Sequence, residues 1–216
     1  IFVFIGTKNQ LLVIQRVKDT VKTLESTMPD NSGGGSTKTK IHSAEVTEYF
    51  NEVVLSTEFD GPRSQAFKWK KDMKIYVEGE SSQELNSELD RIVGELNDII
   101  NTIEIEIVST PTEANMFVYF GTPDGYKSQH PNVIRSRLDS NWGYFLVDSN
   151  GGSLYVDIYR ANLQEQKHLL REELTQSLGL FNDSNKYPES IFYQDWTTTT
   201  EFAEIDKELI DMLYNN

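Results

Sequence analysis

The residue types capable of chemistry are crowded into residues 168–183, His-Leu-Leu-Arg-Glu-Glu-Leu-Thr-Gln-Ser-Leu-Gly-Leu-Phe-Asn-Asp. At about 100° per residue, Leu170, Leu174 and Leu178 share one helical stripe, while Leu169 and Leu180 fall on a second. A helix with two apolar stripes is packed on two sides. Its polar residues then divide into an arc holding Glu172, Glu173 and Gln176, short of solvent, and an edge with Arg171 and Thr175 that the pattern places outside. A sequestered carboxylate is costly unless it is paired, hydrogen-bonded or bound to a metal. Two adjacent glutamates here therefore ask for partners. His168, four residues before Glu172 and eight before Gln176, reads as an exposed histidine in the first turns; on the sharper reading, His168, Glu172 and Gln176 line one helix edge and share a metal from one side. Gly179 ends the helix.

The spacing resembles that of the metzincin zinc peptidases, H-E-x-x-H-x-x-G-x-x-H, in which three histidines bind zinc and the glutamate is the general base. Glu173 and Gly179 fall in register with that glutamate and glycine, whereas Glu172, Gln176 and Asn182 stand at the three histidine positions, with Asp183 next to the third. The chain looks most like the matrixin branch with its zinc site rewritten. It also resembles an uncharacterised bacterial family with an E-E-L-T-Q helix. The resemblance implies an α+β, zincin-like fold: a five-stranded mixed sheet with one antiparallel edge strand, two long helices, the motif helix after the fifth strand, and a C-terminal helix. Ser190-Ile-Phe-Tyr193 occupies the place of the matrixin methionine turn, with Phe192 for the methionine. The likeness covers about residues 67–216.

The flanking elements are legible independently. Ser43 can cap a short helix carrying Val46, Phe50, Val53 and Val54, stopped at Asp60-Gly-Pro62. Phe67 and Trp69 lead into a first strand at 73–77. A capping box of Ser81 and Glu84 opens a helix striped by Leu85, Leu89, Ile92, Val93, Leu96, Ile99, Ile100 and Ile103. Period-two alternation marks a strand at 103–108, and an apolar run marks another at 115–120. Residues 121–141 read as a long loop with one helical turn near Val133. Strands at 143–147 and 154–159 flank Asn150-Gly151, a hairpin signal. Phe202, Ile205, Leu209, Met212 and Leu213 give the closing helix its apolar face.

Upstream, Ile14, Val17, Val21, Leu24 and Met28 predict an amphipathic helix over about 9–28, and 29–36 has linker composition. This divides the chain into a segment 1–36 and a domain 37–216. The opening run Ile-Phe-Val-Phe-Ile is too short to span a membrane, which takes about twenty residues; it fits a signal remnant, a buried strand or a lead-in to the helix, and the missing methionine suggests processing or truncation.

Composition excludes several functions. A formal net charge of −14, with no basic stripe, argues against nucleic-acid binding, which needs clustered Lys and Arg. There is no cysteine, hence no disulfide framework or thiolate site, and the three histidines, His42, His130 and His168, are too few and scattered for a histidine-rich metal centre. No G-x-S-x-G elbow supports a serine nucleophile. Trp69, Trp142 and Trp196 read as core or rim residues.

Neutral amide oxygens of Gln176 and Asn182 are poor zinc ligands, and the oxygen-only set with Glu172 and Asp183 would suit calcium or magnesium better, though those ions ask for six or more ligands. No cofactor is therefore expected, with zinc or calcium the ions in question if one binds. The residues predict a metzincin-fold protein that has lost ordinary zinc proteolysis, a pseudo-peptidase or a module binding peptide or protein. The alternative is an atypical metal-dependent peptidase using Glu173 as general base. The resemblance also implies export, as for many metzincins.

Overall fold

The alternation of apolar residues in four segments and the stripes of two long helices build a sheet with helices on both faces. The structure, a computed structural model, describes residues 42–55 and 65–215. The predicted helix over 9–28, the linker, the opening apolar run and the stop at Asp60–Pro62 lie outside the described residues. The elements are α1 (Ala44–Leu55), β1 (Met73–Gly79), α2 (Gln83–Ile99), β2 (Ile105–Ile107), β3 (Met116–Gly121), α3 (Pro123–Gln129), α4 (Arg135–Ser140), β4 (Gly143–Val147), β5 (Gly152–Asp157), α5 (Leu163–Gln176) and α6 (Glu204–Asn215).

The strands form one sheet in the order β2-β1-β3-β5-β4. All pairings are parallel except β4 with β5, whose antiparallel ladder closes at Val147↔Gly152 across the Asn150-Gly151 turn. This is the α+β order that the resemblance implied. Parallel strands need crossover connections, and the long helix α2 provides the one between β1 and β2. Along β3 and β5 alternate residues serve different cores. Met116, Val118, Phe120, Leu154 and Val156 join α1, α2, α5 and α6 in the larger one. Tyr119 and Tyr155 turn the other way and pack with Tyr126, Val133, Leu138 and Tyr144 beneath α3 and α4.

Several expectations shift. The span 121–141 is two short helices with a brief connection: Thr122 Oγ1 accepts from Gly125 N at 3.1 Å, and Pro123 takes the first helical position, where its missing N–H costs nothing. The cap of α2 is Ser82, one residue after the expected Ser81, because its Oγ accepts from Leu85 N at 3.2 Å. The second strand shrinks to three residues, its Ile105 buried and Ile107 exposed. The last strand of the hairpin begins and ends two residues earlier than its sequence pattern predicts. Ser43 does cap α1, accepting from Val46 N at 3.2 Å. No helix among the described residues is long and apolar enough to cross a membrane.

Candidate functional site

Helix α5 starts earlier than its chemistry suggests. Asn162 Oδ1 accepts from Gln164 N and Glu165 N, and Glu165 Oε2 accepts back from Asn162 N at 2.7 Å, a reciprocal cap that satisfies the helix's first donors. The far end is closed by distant side chains: Trp69 Nε1 donates to Ser177 O at 3.0 Å and Tyr214 OH to Leu178 O at 2.7 Å. Gly179 follows with φ +126°, and a Cβ there would overlap the Phe67 carbonyl oxygen. Only glycine fits that turn. Both apolar stripes are buried, with Leu170, Leu174, Leu178 and Leu180 inaccessible and Leu169 nearly so, and the helix packs on β4 and β5.

The edge expected to face solvent is in fact buried. Arg171 and Thr175 have no exposed surface. Arg171 Nη1 donates to Glu95 Oε2 at 2.5 Å, its other nitrogen lies 3.4 Å from Glu88, and its guanidinium sits 4.3 Å from the Phe202 ring centroid. Arg91 joins the same carboxylates, donating to Glu88 at 2.6 Å and Glu95 at 3.0 Å, and reaches Thr200 O at 2.7 Å and both oxygens of Glu201. A buried guanidinium demands such partners. They come from α2 and the segment before α6.

His168 is likewise buried, not exposed. Its Nδ1 donates to Thr199 O at 2.8 Å, and Nε2 lies 3.3 Å from Glu172 Oε2. The extended segment 196–200 covers it: Gln164 Nε2 donates to Thr198 O at 2.8 Å, and the Trp196 ring packs edge-on 6.3 Å from the imidazole. Burial works against the imidazolium, but the Glu172 carboxylate and the Thr199 carbonyl outweigh it, so the His168 pKa is raised.

Glu173 points elsewhere. Its carboxylate lies against Gly143, where a Cβ would overlap Oε1, and close enough to raise the Tyr126 hydroxyl pKa alongside the larger effect of burial. Around Ser190–Tyr193 all four backbone N–H groups are taken: Ser190 N by Tyr187 O, Ile191 N by Asp206 Oδ2, Phe192 N by Ser190 Oγ and Tyr193 N by Ser190 O. Phe192, at the methionine-turn position, is inaccessible. The turn belongs to Asp206, which also accepts from Ser190 Oγ at 2.5 Å and Ala203 N at 2.9 Å. Desolvation pushes the Asp206 pKa up to about 6 despite these donors.

The ligand-like positions do not converge on a metal. Gln176 Nε2 donates to Asp183 Oδ1 at 2.6 Å. Asn182 is turned onto α1, its N–H donating to Val53 O at 3.1 Å and its Nδ2 reaching Asp183 O at 2.8 Å. Glu172 faces His168. Among the described residues no group of three or more His, Asp or Glu side chains is arranged to hold a metal ion. This donor set does not fit zinc, since it offers neutral amide oxygens and carboxylates and no nitrogen lone pair at a ligand position. His130 lies apart, 2.9 Å from Glu78 near the tyrosine cluster, and His42 is paired with Glu208 at 2.7 Å.

The family model described as "Protein of unknown function (DUF2927)" matches residues 43–216. The chain belongs to the DUF2927 family. No curated protein matches it. Among solved structures, two of myroilysin overlap it with TM-scores of 0.45 and 0.43 at 10% and 12% identity, each covering 71% of this chain and 87% and 97% of the other. Archaemetzincin from Methanopyrus kandleri overlaps with a TM-score of 0.39 at 11% identity, over 67% of this chain and 97% of that one.

Three polar groups in this DUF2927 chain carry more than their local sequence signalled. Arg171 has its carboxylates 76 and 83 residues away. Asp206 looks like an ordinary first-turn acid of α6, and its buried partners appear only when the Ser190 turn folds onto it. Trp196 is different: the sequence read it as a core or rim residue before a run of threonines, and its contact with the motif helix was not visible.

Proposed function

We propose that this protein is a metzincin-fold pseudo-peptidase that binds an extended peptide without zinc-dependent hydrolysis. The observation that carries the reading is the Gln176–Asp183 hydrogen bond of 2.6 Å, which joins the second ligand-like position to the neighbour of the third. The bond ties the Gln176 amide and the Asp183 carboxylate to each other, and what Gln176 keeps free is a neutral amide oxygen, a poor zinc ligand. Edge strand β4, paired among the described residues only with β5, supports the peptide reading, because an extended chain can add to such an edge by backbone hydrogen bonds. With net charge −14 and Glu172 nearby, the favoured partner is basic.

One observation favours the second reading, an atypical metal-dependent peptidase with Glu173 as base: the sheet leaves room for that carboxylate at Gly143. Elemental analysis after dialysis and an assay on a mixed peptide library separate the two. The pseudo-peptidase retains less than stoichiometric metal and cleaves nothing, while Glu173→Gln lowers its stability by about 1–3 kcal/mol through a disturbed buried contact. One transition metal per chain, with turnover that Glu173→Gln abolishes at unchanged melting temperature, would replace this reading with the peptidase.

A further inference from the structure

Glu172 is mostly hidden yet poorly satisfied. Its side chain is 15% exposed, and its one protein partner among the described residues is His168, 3.3 Å from Oε2. An ionised carboxylate can accept about four hydrogen bonds, and the comparably placed Asp206 receives three donors within 3.1 Å. Oε1 of Glu172 receives none among the described residues. A carboxylate held largely out of water with spare acceptor capacity favours a cation beside it.

The surroundings suit one kind of cation. Trp196 is 56% exposed and stands over His168, and its ring meets Trp142 at 5.5 Å and 78°. The Arg160 guanidinium lies 6.0 Å from the Trp142 centroid, so one indole of the pair already meets a guanidinium. Trp196 keeps open surface toward solvent. A flat guanidinium can lie on an indole and donate a fork of N–H groups to a carboxylate, which a compact ammonium does less well.

We infer that Glu172 and Trp196 form a subsite for an arginine side chain of a bound peptide. The inference rests on the peptide-binding reading and names the residue it selects. Trp196 supplies the stacking face and Glu172 the counter-charge, with His168 fixing Glu172 through the oxygen it already contacts. The 56% exposed Trp196 leaves the cation an approach from solvent.

The test uses the full chain labelled with ¹⁵N. Its three tryptophans give three indole signals, and Trp196→Phe assigns one of them. N-acetyl-arginine methylamide is titrated against the citrulline analogue, which has nearly the same shape without the charge. The Trp196 signal should move with the arginine compound and require about tenfold more of the citrulline one. Glu172→Gln should erase that preference, while Glu172→Asp should keep part of it, both with otherwise native spectra. Equal response to the two compounds, movement confined to Trp69 or Trp142, or a preference that survives Glu172→Gln would overturn the subsite. A parallel titration with capped hexapeptides with and without arginine separates the two levels. Neutral peptides that shift β4 amides as strongly as arginine peptides leave peptide binding standing and remove the subsite. No response to any peptide removes both.

Discussion

The two polar edges of α5 sit one residue apart in sequence and behave in opposite ways. On one, Arg171 is wholly buried and meets Glu88 and Glu95, which Arg91 also bridges, so each charge has a counter-charge and the whole lattice ties α2, α5 and the segment before α6 together. On the other, Glu172 has one partner among the described residues, His168 at 3.3 Å, while its neighbour Glu173 lies against Gly143 of the sheet. The difference teaches how to sort buried polar groups. Burial against counter-charges from several elements marks a group that holds the fold, as at Arg171 although its Nε has no hydrogen-bond partner among the described residues, and burial with one long contact, as at Glu172, marks a group that can meet something else.

The strongest way to break this contrast is Arg171→Ala. Removing this member of the buried charge network leaves Glu88 and Glu95 to Arg91 alone, and a loss near the lower end of that for breaking a buried pair, about 3 kcal/mol in urea unfolding, is expected. A loss below about 1 kcal/mol would mean that this edge is no better integrated than the Glu172 edge.

Next comes Asp206, the fully partnered carboxylate that still pays for desolvation. Its folded pKa of about 6 lies above the ordinary 3.8, so the folded state holds the proton more tightly between those values. Its contribution is fully present below the lower value and is lost as pH rises through about 6. Over that window the group should remove up to about 3 kcal/mol. Asp206→Asn, which can still accept from Ile191 N and Ala203 N, should flatten this part of the stability curve. An unchanged slope in chemical denaturation at pH 4 to 6.5 would assign the dependence to other groups.

Gly143→Ala probes the gap itself. The added methyl meets Glu173 Oε1, so a cost of about 1–3 kcal/mol is expected, and combining it with Glu173→Ala should recover much of that cost. Strict additivity in thermal unfolding would show that the glycine is needed for another reason. Glu172→Gln should do least, within about 1 kcal/mol, because it removes one long contact at a partly solvated edge.

Helix α2, the succession of strands along the chain and the hairpin were legible because their signals are local: a stripe every three or four residues, an alternation of two, an Asn-Gly turn. Two short helices at 123–140 went unrecognised even though Thr122-Pro123 is a helix start, since neither helix is long enough to show a stripe. The reciprocal cap of Asn162 and Glu165 was also plain in the chain, and it moves the start of α5 to Leu163. The histidine and arginine of that helix were misplaced for another reason. Helical periodicity says which residues share a face but not how many faces are covered, and α5 is covered on one more side, by α2 and by 196–200.

By itself the sequence determined the order of elements, the two apolar stripes of α5, the glycine that ends it and the absence of histidine at the ligand-like positions. These follow from residue type and spacing along a few turns of chain. Only the tertiary structure decided where each polar side chain on that helix goes. Arg171 turns to α2, His168 to Thr199, Glu173 to Gly143, and Gln176 to Asp183. Each choice is a competition among partners, most of them distant in the chain, and the cost of leaving a buried polar group unpaired is settled only when those partners arrive.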